Sequence, residues 1–163
     1  MKKLIIGSDR SGFLLKEAVK KALSEDGWEL TDCGTADLEH GEPYFAVAAA
    51  LAPRVAAGEF EKGILICGTG AGMAVVANKY RGVYAVVCND PYDARMCRAI
   101  NGANVMTMGG WKIGPELGIE MARTFLKTDF LQGLEPWRQT FLQNAGEQVR
   151  ALEETIYGGG QQA

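Results

Sequence analysis

The chain has a single histidine, His40, with no neighbour at ligand spacing, and its four cysteines, Cys33, Cys67, Cys88 and Cys97, form no Cys-x-x-Cys pair. These absences argue against a structural metal, so none is expected. Long apolar runs are missing as well. Met1-Lys2-Lys3 leads into only Leu4-Ile5-Ile6, far short of a signal-peptide core or a membrane span. The chain therefore reads as cytoplasmic, with no membrane partner and with free thiols. Positive charge is not in excess: the net charge is -3 and the basic residues are spread out, which removes the electrostatic footprint of nucleic-acid binding.

What is present is the composition of an ordinary globular protein, with 47% hydrophobic and 23% charged residues over 163 positions. That length suits one domain, assigned to residues 1–157, with 158–163 a flexible, glycine-rich tail. Short β-branched runs at 4–6, 28–31, 63–66, 83–87 and 104–107 alternate with amphipathic stretches at 11–25, 44–57, 71–80, 91–100 and 115–127. The alternation predicts an α/β fold: a five-stranded parallel sheet covered by helices on both faces. Ligands of such sheets sit beyond the carboxyl ends of the strands. A final helix over about 137–156 has no sixth strand to lead into, and packing across a second subunit is favoured over packing on its own domain.

The loop Cys67-Gly68-Thr69-Gly70-Ala71-Gly72 carries the chemistry. It joins a buried strand to a helix, so the sulfur lies near the positive end of a helix dipole, a setting that favours a reactive thiolate. The glycines let the backbone curl until several N–H groups point at one spot, a cradle for an oxyanion or phosphate. The bland alternative is a small buried cysteine with glycines for tight packing. Three glycines, a threonine and a strand-to-helix position weigh against it. Other loop chemistries fail on spacing: Met73 stands where a Cys-x5-Arg phosphatase needs arginine, Phe13-Leu14 follows Gly12 where a Walker loop needs Lys-Ser/Thr, and Gly7-Ser8-Asp9-Arg10 lacks the second glycine of a dinucleotide fingerprint.

Over residues 2–142 the sequence resembles the family of ribose-5-phosphate isomerase B and galactose-6-phosphate isomerase, as a divergent member. The resemblance is carried by Ile5-Ile6-Gly7-Ser8-Asp9, Gly12-Phe13-x-x-Lys16, Asp32-x-Gly34-Thr35, Gly63 through Met73, Ala77-Asn78-Lys79, Asp90-Pro91-Tyr92-x-Ala94-Arg95-Met96 and Asn101-x-Ala103-Asn104-Val105. It implies a Rossmann-like three-layer α/β/α fold, a homodimer that could pair into a tetramer, an active site at the subunit interface, and no cofactor. The implied activity is aldose–ketose isomerisation of a small sugar phosphate through an enediol(ate). Cys67 would take the carbon-2 proton, the amides from Gly68 through Gly70, Ala71 and Gly72 would hold the oxyanion, and Asp9, Thr69 and Asn101 would contact substrate hydroxyls. Thr69 is grouped with Cys67 as catalytic.

The chain also departs from the family pattern. Arg10 and Ile100 stand where histidines are usual, and the second of those histidines normally opens the sugar ring. Trp111 replaces an arginine after the last strand, and of two further arginines only Arg138 is matched, Leu134 standing for the other. Arg10 is then the candidate phosphate contact, with Lys112 a weaker one. Three substrates fit: a four-carbon 4-phosphate sugar that cannot close a normal ring, ribose 5-phosphate that opens spontaneously, or an unphosphorylated or otherwise modified sugar. Trp111 and Trp137 read first as interface packing and second as sugar-stacking surfaces. The competing functional class is a non-catalytic sugar-phosphate sensor, for which Cys67 beside an oxyanion cradle would be superfluous.

Overall fold

The computed structural model describes residues 2–158, so all but the first residue of the expected tail lies outside the described residues. Five strands, β1 (Lys2–Ser8), β2 (Trp28–Asp32), β3 (Gly63–Cys67), β4 (Ala85–Val87) and β5 (Val105–Gly109), form one parallel sheet in the order β2-β1-β3-β5-β4. Six α-helices follow the strands or extend the chain: α1 (Phe13–Glu25), α2 (Tyr44–Ala56), α3 (Ala71–Ala77), α4 (Pro91–Asn101), α5 (Pro115–Lys127) and α6 (Pro136–Tyr157). The expected α/β architecture is what forms.

Strands buried on both faces cannot show polar alternation, which is why β3 and β5 read as continuous apolar runs. Their side chains still alternate between two cores. Ile64, Ile66, Met106 and Met108 pack with Leu15, Val19, Met121 and Phe125 of α1 and α5. Leu65, Cys67 and Val105 pack on the other face with Val47, Leu51 and Met73 of α2 and α3. Cys67 thus points to the α2/α3 side, 5% exposed at the strand's end.

The strand order places the site. After β2 the chain passes back over β1 to begin β3, so the loops following β1 and β3 lie side by side at this reversal, where open sheets bind ligands. A second reversal inserts β5 between β3 and β4, bringing its loop to the other flank of Cys67.

Among the boundaries that differ from the sequence expectation, two share one side-chain reason. Helix α3 stops at Ala77 rather than 80, and β4 begins at Ala85 rather than 83. Asn78, at the helix end, donates its Nδ2 to the Ala85 carbonyl at 2.8 Å and accepts from the Ala85 amide at 2.7 Å, doing for that edge residue what a further strand would. At the first helix, residues 10–12 form a separate 3-10 turn, held by Asp9 accepting from the Gly12 amide at 3.0 Å.

Candidate active site

The five loops at the carboxyl ends of the strands are laced to one another. The Asp9 amide donates to the Ile66 carbonyl at 3.2 Å, fixing the β1 loop on the end of β3. Gly12 lies so close that a Cβ there would meet Ile66 O at 2.4 Å. Burial raises the Asp9 carboxyl above its ordinary value, against the opposing donation from the amides of Gly12 and Ser11. Arg10 is exposed on the same turn, makes no ion pair among the described residues, and its stem lies against Gly41 of the β2–α2 loop.

That second loop is anchored by a lysine with no solvent contact. Lys16 Nζ donates to Asp32 Oδ2 at 2.7 Å and to the Thr35 carbonyl, and stands 5.2 Å from the centre of the Phe13 ring. Asp32 is shared with Lys20, also at 2.7 Å. A buried ammonium demands such partners, since an unpaired one would cost several kcal/mol, on the order of 3–5. Thr35 passes the constraint on, its hydroxyl accepting from the Glu42 amide at 3.0 Å.

The cysteine loop has three glycines for three reasons. Gly70 adopts φ 84°, the left-handed conformation that begins the turn into α3. Its amide donates to Cys67 Sγ at 3.1 Å and so fixes the sulfur on the concave side of the loop. Gly68 and Gly72 instead make room for rings: a Cβ on Gly68 would sit 2.7 Å from the Trp111 indole, and one on Gly72 would sit 2.8 Å from the Tyr44 ring. The Thr69 hydroxyl accepts from the Ala71 amide at 3.3 Å, which leaves its proton available to a substrate oxygen. The Gly72 and Met73 amides, in the first turn of α3, have no intrahelical acceptor, which leaves them able to serve an oxyanion at the loop.

On the far flank the β5 loop is tied to the same segment, with Gly110 N–H donating to the Cys67 carbonyl at 2.7 Å and Trp111 N–H to the Gly68 carbonyl at 3.1 Å. Lys112 reaches away from the sulfur to Asn89 Oδ1 at 2.7 Å. Asp9, Arg10, Cys67, Gly68, Thr69, Gly70, Ala71 and Gly72 therefore converge within one protomer.

Asn101 and Arg138 do not join them. Helix α4 starts beside the carboxyl end of β4 and returns to the start of β5, so Asn101, its last residue, lies about 15 Å down the sheet from the cysteine loop. There it lines a groove of about 280 Å³ with Ile100, Phe130, Leu142 and Val149. Arg138 stands in the first turn of α6, which begins after a segment anchored on that same end through Leu131 N–H to the Ala99 carbonyl at 2.9 Å.

The remaining titratable candidates lie outside the site. His40 is exposed and held by Asp37 at 3.1 Å, and Cys33 has its thiol pushed up to about 11 by burial and the nearby Asp32. The sulfurs of Cys88 and Cys97 stand 3.7 Å apart, and the Cys88 thiol donates to Cys97, which lowers Cys97 and raises Cys88. Sequence reasoning also missed Tyr44, and placed Trp111 at an interface before a ligand. A signal existed in the unexplained spacing of Gly68 and Gly72, whose bare Cα atoms had to face something large.

A buried thiol, an adjacent hydroxyl and an amide cradle on a doubly wound sheet define an enzyme that moves a proton and stabilises the oxyanion that results. The ribose/galactose isomerase family model matches residues 4–140, and the chain belongs to that family. It is 57% identical over 158 residues, 97% of this chain and 99% of the other, to a 4-deoxy-4-sulfo-D-erythrose isomerase of Clostridium sp. (strain MSTE9). It is 42% identical to ribose-5-phosphate isomerase B of Escherichia coli, covering 82% of this chain and 89% of that one. Among solved structures, Trypanosoma cruzi type B ribose 5-phosphate isomerase superposes with a TM-score of 0.84 at 32% identity, covering 96% of this chain and 99% of that one. The chain is an aldose–ketose isomerase of small sugars.

Proposed function

We propose that the substrate is a four-carbon aldose with a terminal sulfonate, of the 4-deoxy-4-sulfo-D-erythrose type, interconverted with its 2-ketose. The carrying observation is that no imidazole stands at the site: the single histidine is tied to Asp37 in an exposed loop, and Ile100 occupies the position beside Asn101. A five-carbon sugar phosphate spends most of its time as a ring and needs acid–base help to open. A four-carbon sugar whose carbon 4 bears sulfur has no hydroxyl there to close a ring, so its isomerase needs no such group. The 57% identical relative acts on that chemistry by name.

In this reading Cys67 thiolate takes the proton from carbon 2, and the carbonyl at carbon 1 becomes the oxygen of an enediolate. The amides of Gly72 and Met73 face that oxyanion, where preorganised donors do most of the stabilising. The hydroxyl proton passes from oxygen 2 to oxygen 1, with the Thr69 hydroxyl beside both, and the Cys67 thiol returns its proton to carbon 1. Arg10, the cation without a carboxylate partner, receives the sulfonate. Asn101 and Arg138 come from a second copy in a homodimer. Supporting this, Trp137, Phe141, Val149, Leu152 and Ile156 stand exposed along one face of α6, and Arg138 shares that face by helical spacing. A cytoplasmic setting agrees with the free thiols, Cys88 and Cys97 among them.

The test is solvent exchange in heavy water with three aldoses: the four-carbon 4-sulfonate, the four-carbon 4-phosphate and ribose 5-phosphate. Deuterium should enter carbon 1 of the ketose fastest from the sulfonate. Preference for ribose 5-phosphate would refute the substrate, and absence of exchange from all three would refute the reaction.

A further inference from the structure

The residue that most shapes the space beside the base is Trp111. Its indole lies flat against the bare Cα of Gly68, the residue next to Cys67, because a Cβ there would sit 2.7–2.8 Å from three ring atoms. Its backbone cannot drift: Gly110 and Trp111 amides bond the Cys67 and Gly68 carbonyls at 2.7 and 3.1 Å, while the amides of Lys112 and Ile113 both return to Gly109 at 3.0 Å. Gly110 also packs on the β1 turn, where a Cβ would meet Ser11 O at 2.7 Å. The ring therefore rests on the residue next to the base, and the backbone that carries it is wedged against the turn that holds Arg10. Yet its outer face is open, and the side chain is 74% exposed. A large aromatic with one face fixed and the other bare is an expensive thing to leave in water.

We infer that Trp111 is the specificity wall of this site, the residue that limits the substrate to four carbons. With the reacting carbons at Cys67 and the anion at Arg10, the span between base and cation sets the chain length. The indole closes the side of that span into which a fifth carbon would have to bulge. Tyr44 is seated over Gly72 in the same manner, at the other end of the cysteine loop. A pocket of this kind discriminates by volume, and one carbon unit of mismatch is worth about 10-fold to 200-fold in kcat/KM.

The inference rests on the proposed reading of the site as an isomerase of a short anionic sugar, and its test separates the two. Wild type, Trp111→Ala and Trp111→Phe are assayed with a four-carbon aldose 4-phosphate and a five-carbon aldose 5-phosphate, so that the anion is constant and only length varies. The quantity read is the ratio of kcat/KM for the longer substrate over the shorter. Trp111→Ala should raise that ratio about tenfold or more, and Trp111→Phe should raise it by less. A ratio that stays constant while both substrates slow together means that the indole only props the loop, and overturns the wall. The same holds if Trp111→Ala fails to fold and Trp111→Phe leaves the ratio where it was. The wild-type ranking of sulfonate against phosphate, measured in the same series, judges the proposed substrate independently of this change.

Discussion

The carboxyl end of the sheet and the α6 end of the molecule present opposite surfaces. At the carboxyl ends of the strands, loops from every strand are tied to one another: Asp9 to Ile66, Thr35 to Ser8, Gly110 to Cys67 and Lys112 to Asn89. At the α6 end the loops are also hydrogen-bonded to one another, Asn104 to Gly82 and Tyr84 among them, but the helix turns apolar surface outward. No residue of α6 is buried, and five large apolar side chains on it are between 49% and 71% exposed. Within one chain the cysteine loop is assembled at the first end, while Asn101 and Arg138 lie apart from it, Arg138 on the helix with the exposed apolar face. In the proposed homodimer that face is the one a second copy would cover, which would bring Asn101 and Arg138 to the partner's cysteine loop.

Breaking the first end should have the largest effect. Cys67→Ala removes the base and only a sulfur's worth of packing, so kcat should fall by about 10³-fold while thermal unfolding and oligomeric state hold. Undiminished turnover in this variant would sink the assignment of Cys67. Breaking the second end should be nearly as severe if Asn101 and Arg138 act across subunits. Phe141→Glu together with Leu152→Glu places two charges in the α6 stripe, and sedimentation velocity should show monomers whose kcat/KM is lower by roughly 100-fold, about 3 kcal/mol. The sharper form mixes two inactive proteins, Cys67→Ala and Asn101→Ala. Recovery of activity on mixing requires sites shared between copies, and no recovery from mixed dimers would confine each site to one chain.

The first end was also the more legible of the two. The layered α/β fold followed from alternating periodicities, and all six helices were placed to within about three residues at either end because their apolar spacing is strong. Cys67 to Gly72 was readable since glycines and a thiol at a strand-to-helix junction have few other uses. Strand order was not readable: β4 at the edge with β5 inside depends on which crossover packs better, and neither strand's composition encodes it. Lys16 showed the same limit. Its spacing on α1 looks like a solvated charge, and only the tertiary position of Asp32 and Thr35 reveals a buried clamp. Trp111 failed for a related reason, because an aromatic after a strand suits an interface and a ligand platform equally well until Gly68 is seen beneath it.

That clamp permits a prediction of intermediate size, on stability instead of chemistry. Asp32→Asn leaves the buried Lys16 ammonium with the Thr35 carbonyl and the half-exposed Glu17 at 3.4 Å, and should cost about 3 kcal/mol, read by urea unfolding. Burial alone would raise the Asp32 carboxyl, but donation from Lys16, Lys20 and the Gly34 amide outweighs it and holds the group below its ordinary 3.8. A depressed carboxyl contributes stability that is whole above the unfolded value and fades as pH falls through the folded one. The gap between wild type and Asp32→Asn should therefore be constant from about pH 5 upward and narrow below about pH 4. A gap that widens on acidification would mean that the Asp32 carboxylate does not offset the burial of Lys16.

The smallest effect belongs to Arg10, and it probes how the tied end meets its substrate. The guanidinium is exposed and held by no carboxylate among the described residues, so it is free to receive an anion but is screened by solvent. Such a contact exists before and during the reaction alike. Its loss should raise KM about tenfold with kcat little changed, the pattern of uniform binding. Salt should erase most of that difference, since screening acts over about 8 Å at physiological ionic strength. The neutral four-carbon aldose, lacking the anion, should be turned over equally by wild type and Arg10→Ala. An equal rise in KM for the neutral and the anionic sugar would show instead that Arg10 shapes the β2–α2 loop through Gly41, and would move the anion's partner to the second copy's Arg138.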